Sequence, residues 1–119
     1  MRKKPGAATD IGLTRRIGRL AGPTIRFAGR VSDAEAARLL ATCRALVVTT
    51  GEEFGIAAVE AQAAGRPVIA RAAGGLLENV VDGVTGRLWE GGPDELAEAV
   101  MRFDTEAVDS EACMENARR

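Results

Sequence analysis

Residues 46–60 read LVVTTGEEFGIAAVE, and the fold turns on how this run divides. Leu46, Val47, Val48, Thr49 and Thr50 are apolar or β-branched, the composition of a short strand buried on both faces. Gly51 breaks the strand. From about Glu53 the pattern becomes helical, with Ile56, Val59, Ala63 and Ala64 spaced by threes and fours. The run is therefore strand, tight turn, helix. In a parallel α/β sheet such a turn sits at the carboxyl end of its strand, where ligands bind. The free N–H groups at the helix start favour an anion such as a pyrophosphate.

Two acids flank that turn. Glu52 precedes the helix and Glu60 lies within it, with seven residues between them. That is close to two helical turns, so both can face one cleft if Glu52 folds back over the helix start. A pyrophosphate would then lie between them. Glu60 can accept hydrogen bonds from ribose hydroxyls, and Glu52 from sugar hydroxyls. Glu52 and Glu53 also suit ordinary solvated acids of a helix start, which the helix dipole favours.

Upstream of this unit, residues 1–9 have little to bury and read as a disordered lead-in. Thr9 or Asp10 can cap a helix whose apolar face is Leu13, Ile17 and Leu20. Residues 25–28 form a short strand closed by Gly29. Ser32 or Asp33 caps the next helix, which buries Ala36, Leu39 and Leu40 and runs to about Thr42. Downstream, Gly65 ends the central helix and Pro67 prevents its continuation. Residues 68–70 are the next buried strand. The glycines of Ala73-Gly74-Gly75 either let the backbone approach a ligand or make a plain turn. Residues 76–81 read as a short helix, 86–89 as a last strand, and Pro93 as a helix start with Leu96, Ala97, Val100 and Phe103 inward. The tail from Thr105 is helix-permissive but weakly apolar. Strands alternating with helices predict an α/β domain with a parallel sheet.

At 119 residues the chain suits one domain with a modest core. It has no histidine, which removes the commonest general base and metal ligand. Cys43 and Cys113 lack zinc-type spacing and read as reduced thiols, Cys43 buried before a core strand. No apolar stretch approaches a membrane span, and no secretory signal follows the basic Met1-Arg2-Lys3-Lys4, so a cytoplasmic protein is expected. Residues 1–44 carry net charge +7 and residues 45–119 net −8, within an overall −1. The basic third is a solvated face or a weak contact with anionic lipid; without interleaved aromatics it does not predict nucleic-acid binding.

Glu52-Glu53-Phe54-Gly55-Ile56 followed by Val59-Glu60-Ala61 resembles the paired-glutamate motif of retaining glycosyltransferases of family 4, the glycosyl transferases group 1. The resemblance continues in Gly65-Arg66-Pro67-Val68-Ile69-Ala70, Gly74-Gly75 and Asp82-Gly83-Val84-Thr85-Gly86. Upstream it includes Phe27-Ala28-Gly29-Arg30-Val31-Ser32-Asp33. It spans roughly residues 25–100. It implies a Rossmann-like parallel sheet flanked by helices, the C-terminal, nucleotide-sugar-binding half of a two-Rossmann-domain (GT-B type) enzyme. Residues 1–9 would be the lead-in and 10–119 a partial donor-binding domain. Residues 1–22 match none of the basic residues with which the family holds donor phosphates, so a truncated half is expected.

The implied reaction moves a hexose from a nucleotide diphosphate sugar to an acceptor hydroxyl with retention. Glu52 would be the catalytic residue and orient the donor sugar. Backbone N–H groups of Phe54, Gly55 and Ile56 would hold the donor, Glu60 its ribose, and Gly74 and Gly75 would lie against it. No metal and no cofactor beyond the nucleotide sugar are expected, since Glu52 and Glu60 are not a compact carboxylate pair for a cation. The acceptor side would come from a missing N-terminal domain or a partner chain, with self-association through an open sheet edge as a further expectation. Other readings are a nucleotide-sugar-binding module and an inactive truncated fragment.

Overall fold

The strands among the described residues are three or four residues long, and pairing in parallel across helical crossovers makes them a sheet. The computed structural model describes residues 22–49 and 56–119. The lead-in at 1–9, the helix of Leu13, Ile17 and Leu20, and the turn holding Glu52, Phe54 and Gly55 lie outside the described residues. The chain divides into two compact units, Met1–Val31 and Ser32–Arg119.

Of the first unit, residues 22–31 are described and hold no helix or strand. The strand expected over residues 25–28 is not formed. Ile25 and Phe27 are 54% and 56% exposed, and no described residue offers them a ladder. An apolar alternation becomes a strand only where a neighbour takes its backbone hydrogen bonds.

The second unit runs α1 (Asp33–Thr42), β1 (Leu46–Val48), α2 (Ile56–Ala63), β2 (Val68–Arg71), α3 (Leu76–Asn79), β3 (Gly86–Trp89) and α4 (Pro93–Arg102). A 3-10 turn (Thr105–Ala107) and α5 (Ser110–Ala117) complete it. The sheet order is β1-β2-β3, all parallel, with Val48 opposite Ala70 and Arg71 opposite Trp89. Local chemistry starts and stops the helices. Ser32 Oγ accepts from Glu35 N at 3.1 Å to cap α1. Pro93 opens α4, where the Glu95 carboxylate accepts from Gly92 N at 2.8 Å. Gly65, at φ +81°, ends α2, with Gly65 N donating to Gln62 O and Arg66 N to Ala61 O.

The sheet is covered on both faces. Val48, Val68 and Ala70 pack with Ala58 and Ala61 of α2 and with Leu76 and Val80. Ile69 and Trp89 point the other way, onto Ala99 of α4, with Leu96 and Phe103 beside them. Full burial of a side chain such as Val68 or Ile69 contributes about 1.5–3 kcal/mol. α5 packs along α2 and buries Cys113 completely. Among the described residues no helix is long and apolar enough to cross a membrane.

Several faces differ from the sequence reading. α2 buries Ala58, Ala61 and Gln62, while Ile56, Ala63 and Ala64 are exposed and Val59 is half-buried. The helix is covered by the sheet and by α5, and small side chains let the three backbones approach. α1 buries nothing fully: Leu39 is exposed, Ala36 and Leu40 half-buried. On α4 the inward residues are Leu96, Ala99 and Phe103, whereas Ala97 and Val100 face solvent. β1 stops at Val48, two residues short of expectation. α3 stops at Asn79 because Val80 turns to extended backbone and enters the core. Cys43 is half-buried rather than buried.

Candidate functional site

The parallel topology gives the sheet one carboxyl end, and the described candidate residues gather by element at that end. β1 runs toward it, α2 starts there at Ile56 and returns, and β2 brings the chain back to it before the turn at residues 72–75. The turn is tied to the neighbouring strand: Ala72 N donates to Trp89 O at 2.8 Å. Arg71 lies over the Trp89 ring, 5.3 Å from its centroid, and Arg71 Nη1 donates to Gly91 O at 3.4 Å. Gly74 takes φ +55°, which only glycine adopts without strain. Gly75 is buried at the start of α3.

Ile56 is the first residue of α2 and is 62% exposed, so its side chain is not part of the core. Glu60 follows one turn later and is also exposed. It lines a groove of about 490 Å³ between α1 and α2, together with Asp33, Ala36, Ala37, Leu40 and Ala64. Asp33 is therefore a neighbour of Glu60 that the sequence reading treated only as a helix-cap candidate. Their separation of 27 positions gave no local signal of it. On the same helix, the Glu35 carboxylate hydrogen-bonds Arg38 and raises its pKa. That pair is exposed and adds little to stability. Glu52, Phe54 and Gly55 lie outside the described residues. Among the described residues no three His, Cys, Asp or Glu side chains gather in a way that could hold a metal ion.

The run Asp82-Gly83-Val84-Thr85-Gly86 lies at the other end of the sheet, where β3 begins. Asp82 Oδ1 accepts from Leu88 N at 2.9 Å, and Thr85 Oγ1 from Val81 N at 3.0 Å. Gly83 N donates to Gly86 O at 2.8 Å. This motif sets how the chain enters β3.

A second polar feature was not read from the sequence. Gln62, 0% exposed, donates through Nε2 to Ala58 O at 3.0 Å and to Asn79 O at 2.8 Å. Asn116 Nδ2 donates to Gln62 Oε1 at 2.6 Å and to Asn79 O at 2.8 Å. The partners are 54 and 37 positions away from Asn116, beyond the reach of periodicity.

The family model for glycosyl transferases group 1 matches residues 17–119. A D-inositol 3-phosphate glycosyltransferase of Nocardioides sp. is 41% identical over 97 residues, covering 80% of this chain and 21% of that protein. An uncharacterized glycosyltransferase of Methanocaldococcus jannaschii is 43% identical over 81 residues, 66% of this chain and 23% of its own length. Among solved structures, Anabaena HepE, in complex with UDP and glucose, aligns with a TM-score of 0.72 at 31% identity. The alignment covers 98% of this chain and 32% of HepE. The chain thus spans about a fifth of the curated relatives it matches. Its parallel sheet and flanking helices have the Rossmann-like form of the C-terminal half of a GT-B glycosyltransferase. Motifs, fold and family match agree, and the chain belongs to the glycosyl transferases of group 1.

Proposed function

We propose that this chain is the donor-binding part of a retaining, family 4 hexosyltransferase that uses a nucleoside diphosphate sugar. The observation that carries the reading is Glu60. It is an exposed carboxylate on the helix that starts at the sheet's carboxyl end, at the second position of the paired-glutamate motif. The relationship to HepE, a protein solved with UDP and glucose, supports a nucleotide-sugar ligand.

In this reading residues 10–119 form a partial donor domain behind the lead-in at 1–9. Glu60 accepts hydrogen bonds from the ribose hydroxyls. Glu52 orients the hexose. The N–H groups of Phe54, Gly55 and Ile56 stabilise the diphosphate, and the Gly74-Gly75 turn lets backbone lie against the donor. The bond between the anomeric carbon and the diphosphate oxygen breaks, and the diphosphate leaves with the electron pair. A bond to the acceptor oxygen forms with the same anomeric configuration, and the acceptor hydroxyl passes its proton to the departing diphosphate oxygen. Positioning and stabilisation of the leaving diphosphate supply most of the rate. No metal ion is required.

The acceptor side belongs to the remainder of a longer enzyme or to a partner chain, acting in the cytoplasm. The 119 residues by themselves bind donor without transferring sugar. That makes them, in isolation, the nucleotide-sugar-binding module that is the second reading. The test is calorimetry with UDP. Glu60→Gln removes a charged hydrogen bond worth about 1.5–3 kcal/mol, so affinity should fall at least tenfold. Equal affinity of the two proteins removes Glu60 from the site. Binding that disappears with a chelator and returns with magnesium or manganese would contradict the metal-free reading.

A further inference from the structure

We infer that Asn116 and Gln62 are positioning residues that fix the helix of Glu60 against the Gly74-Gly75 turn. The inference rests on the donor-site reading and adds to it residues that touch no ligand.

The cluster joins three elements at one atom. Asn79 O, at the C-terminal end of α3, accepts from Gln62 Nε2 of α2 and from Asn116 Nδ2 of α5, each at 2.8 Å. Asn116 also closes on Gln62 Oε1 at 2.6 Å, and the second Gln62 donor returns to Ala58 O of its own helix. Every polar atom of the Gln62 amide is thereby used at a fully buried site. An apolar side chain at 62 would bury the same area without directional bonds. The amide costs desolvation and is compensated only when all its partners are in place. What it adds is one defined placement of α2, α3 and α5.

That placement bears on the donor site through short levers. Gln62 is two residues from Glu60 on α2. Asn79 ends α3, a single helical turn that starts directly after Gly74-Gly75. Holding Asn79 O therefore holds the turn, and holding Gln62 holds the ribose-side carboxylate. α5 makes the anchor from outside, through Asn116.

The test compares four variants of the full chain with wild type, by calorimetry with UDP and by hydrogen exchange, at a temperature well below melting, with Glu60→Gln as the control for the site itself. Asn116→Asp keeps the volume and turns the donor into an acceptor facing Asn79 O. Asn116→Ala removes the group and serves if the aspartate variant does not fold. Cys113→Ala, on the same helix and also buried, loosens α5 without touching the amide cluster. Both Asn116 variants should bind UDP about tenfold more weakly and exchange faster over residues 72–80. Cys113→Ala should lower the melting temperature while leaving UDP affinity and exchange at 72–80 as in wild type. Unchanged affinity in the Asn116 variants, with affinity lost in Glu60→Gln, overturns the positioning role and leaves the site reading intact. Equal weakening in Cys113→Ala reduces Asn116 to general stability and also overturns it. A wild-type chain that does not bind UDP overturns the site reading and this inference together.

Discussion

At Gly86 the backbones of β2 and β3 meet so closely that a Cβ would lie 1.8 Å from Val68 O. The constraint is contact with backbone, which cannot swing aside as a side chain could. Gly86→Ala must spread the two strands whose register places Arg71 opposite Trp89. A destabilisation of about 3 kcal/mol is expected, read as a lower urea midpoint; a midpoint within error of wild type would refute it. Cys113 gives a second prediction at this scale. Burial pushes its thiol pKa up, and the Asp109 carboxylate adds to the shift. A raised folded value leaves this contribution to stability complete below the unfolded thiol pKa, near 8.5. It is lost as pH rises from there through the folded value, because the unfolded chain ionises first. Urea midpoints should fall above about pH 8.5 in wild type and fall less in Cys113→Ala. Parallel pH profiles would show that the thiol contributes nothing.

Among the elements, β1 and β3 are the outer strands of the sheet, each without a second partner among the described residues, and β1 is the one beside an apolar groove. It pairs with β2 on one side, and no described residue pairs with it on the other. Val47, in its middle, is 42% exposed. It lines a largely apolar groove of about 590 Å³ with Ala45, Val100, Met101 and Phe103, flanked by Arg44 and Thr105. An open parallel edge beside an apolar groove is a template for another chain. The isolated chain should therefore associate at micromolar concentration in sedimentation velocity. Val47→Lys combined with Met101→Lys should shift it toward monomer. A wild-type chain that is monomeric throughout and melts cooperatively would contradict this. The helices show the opposite situation, since their ends depend on neighbours a few residues away. Ser32, Gly65 and Pro93 were legible as boundaries for that reason. Their faces were less legible: α2 is so uniformly small and apolar that no stripe stands out, and the side it buries is set by the sheet and α5.

For the molecule as a whole, the donor-site reading and the family came from short motifs, and the fold class came from alternating strand and helix signals. The three strands after Cys43 begin at the residues the sequence predicts, Leu46, Val68 and Gly86, with β1 ending two residues early. That the helix of Glu60 and the Gly74-Gly75 turn start at one end of the sheet was legible because each follows a strand of a parallel sheet. Three features were not legible. Residues 25–28 have strand composition without a described ladder partner. Asp33 joins Glu60 only through the packing of α1 against α2. Gln62 meets Asn116 only after α5 has folded back along α2. The sequence by itself determined which segments after Cys43 become strands and helices and where Ser32, Gly65 and Pro93 bound them, since these depend on residues within a turn or two. Tertiary structure alone decided which faces are buried, which strands end at an open edge and which distant amides share one carbonyl. Those outcomes depend on contacts between segments far apart in the chain, which no local pattern records.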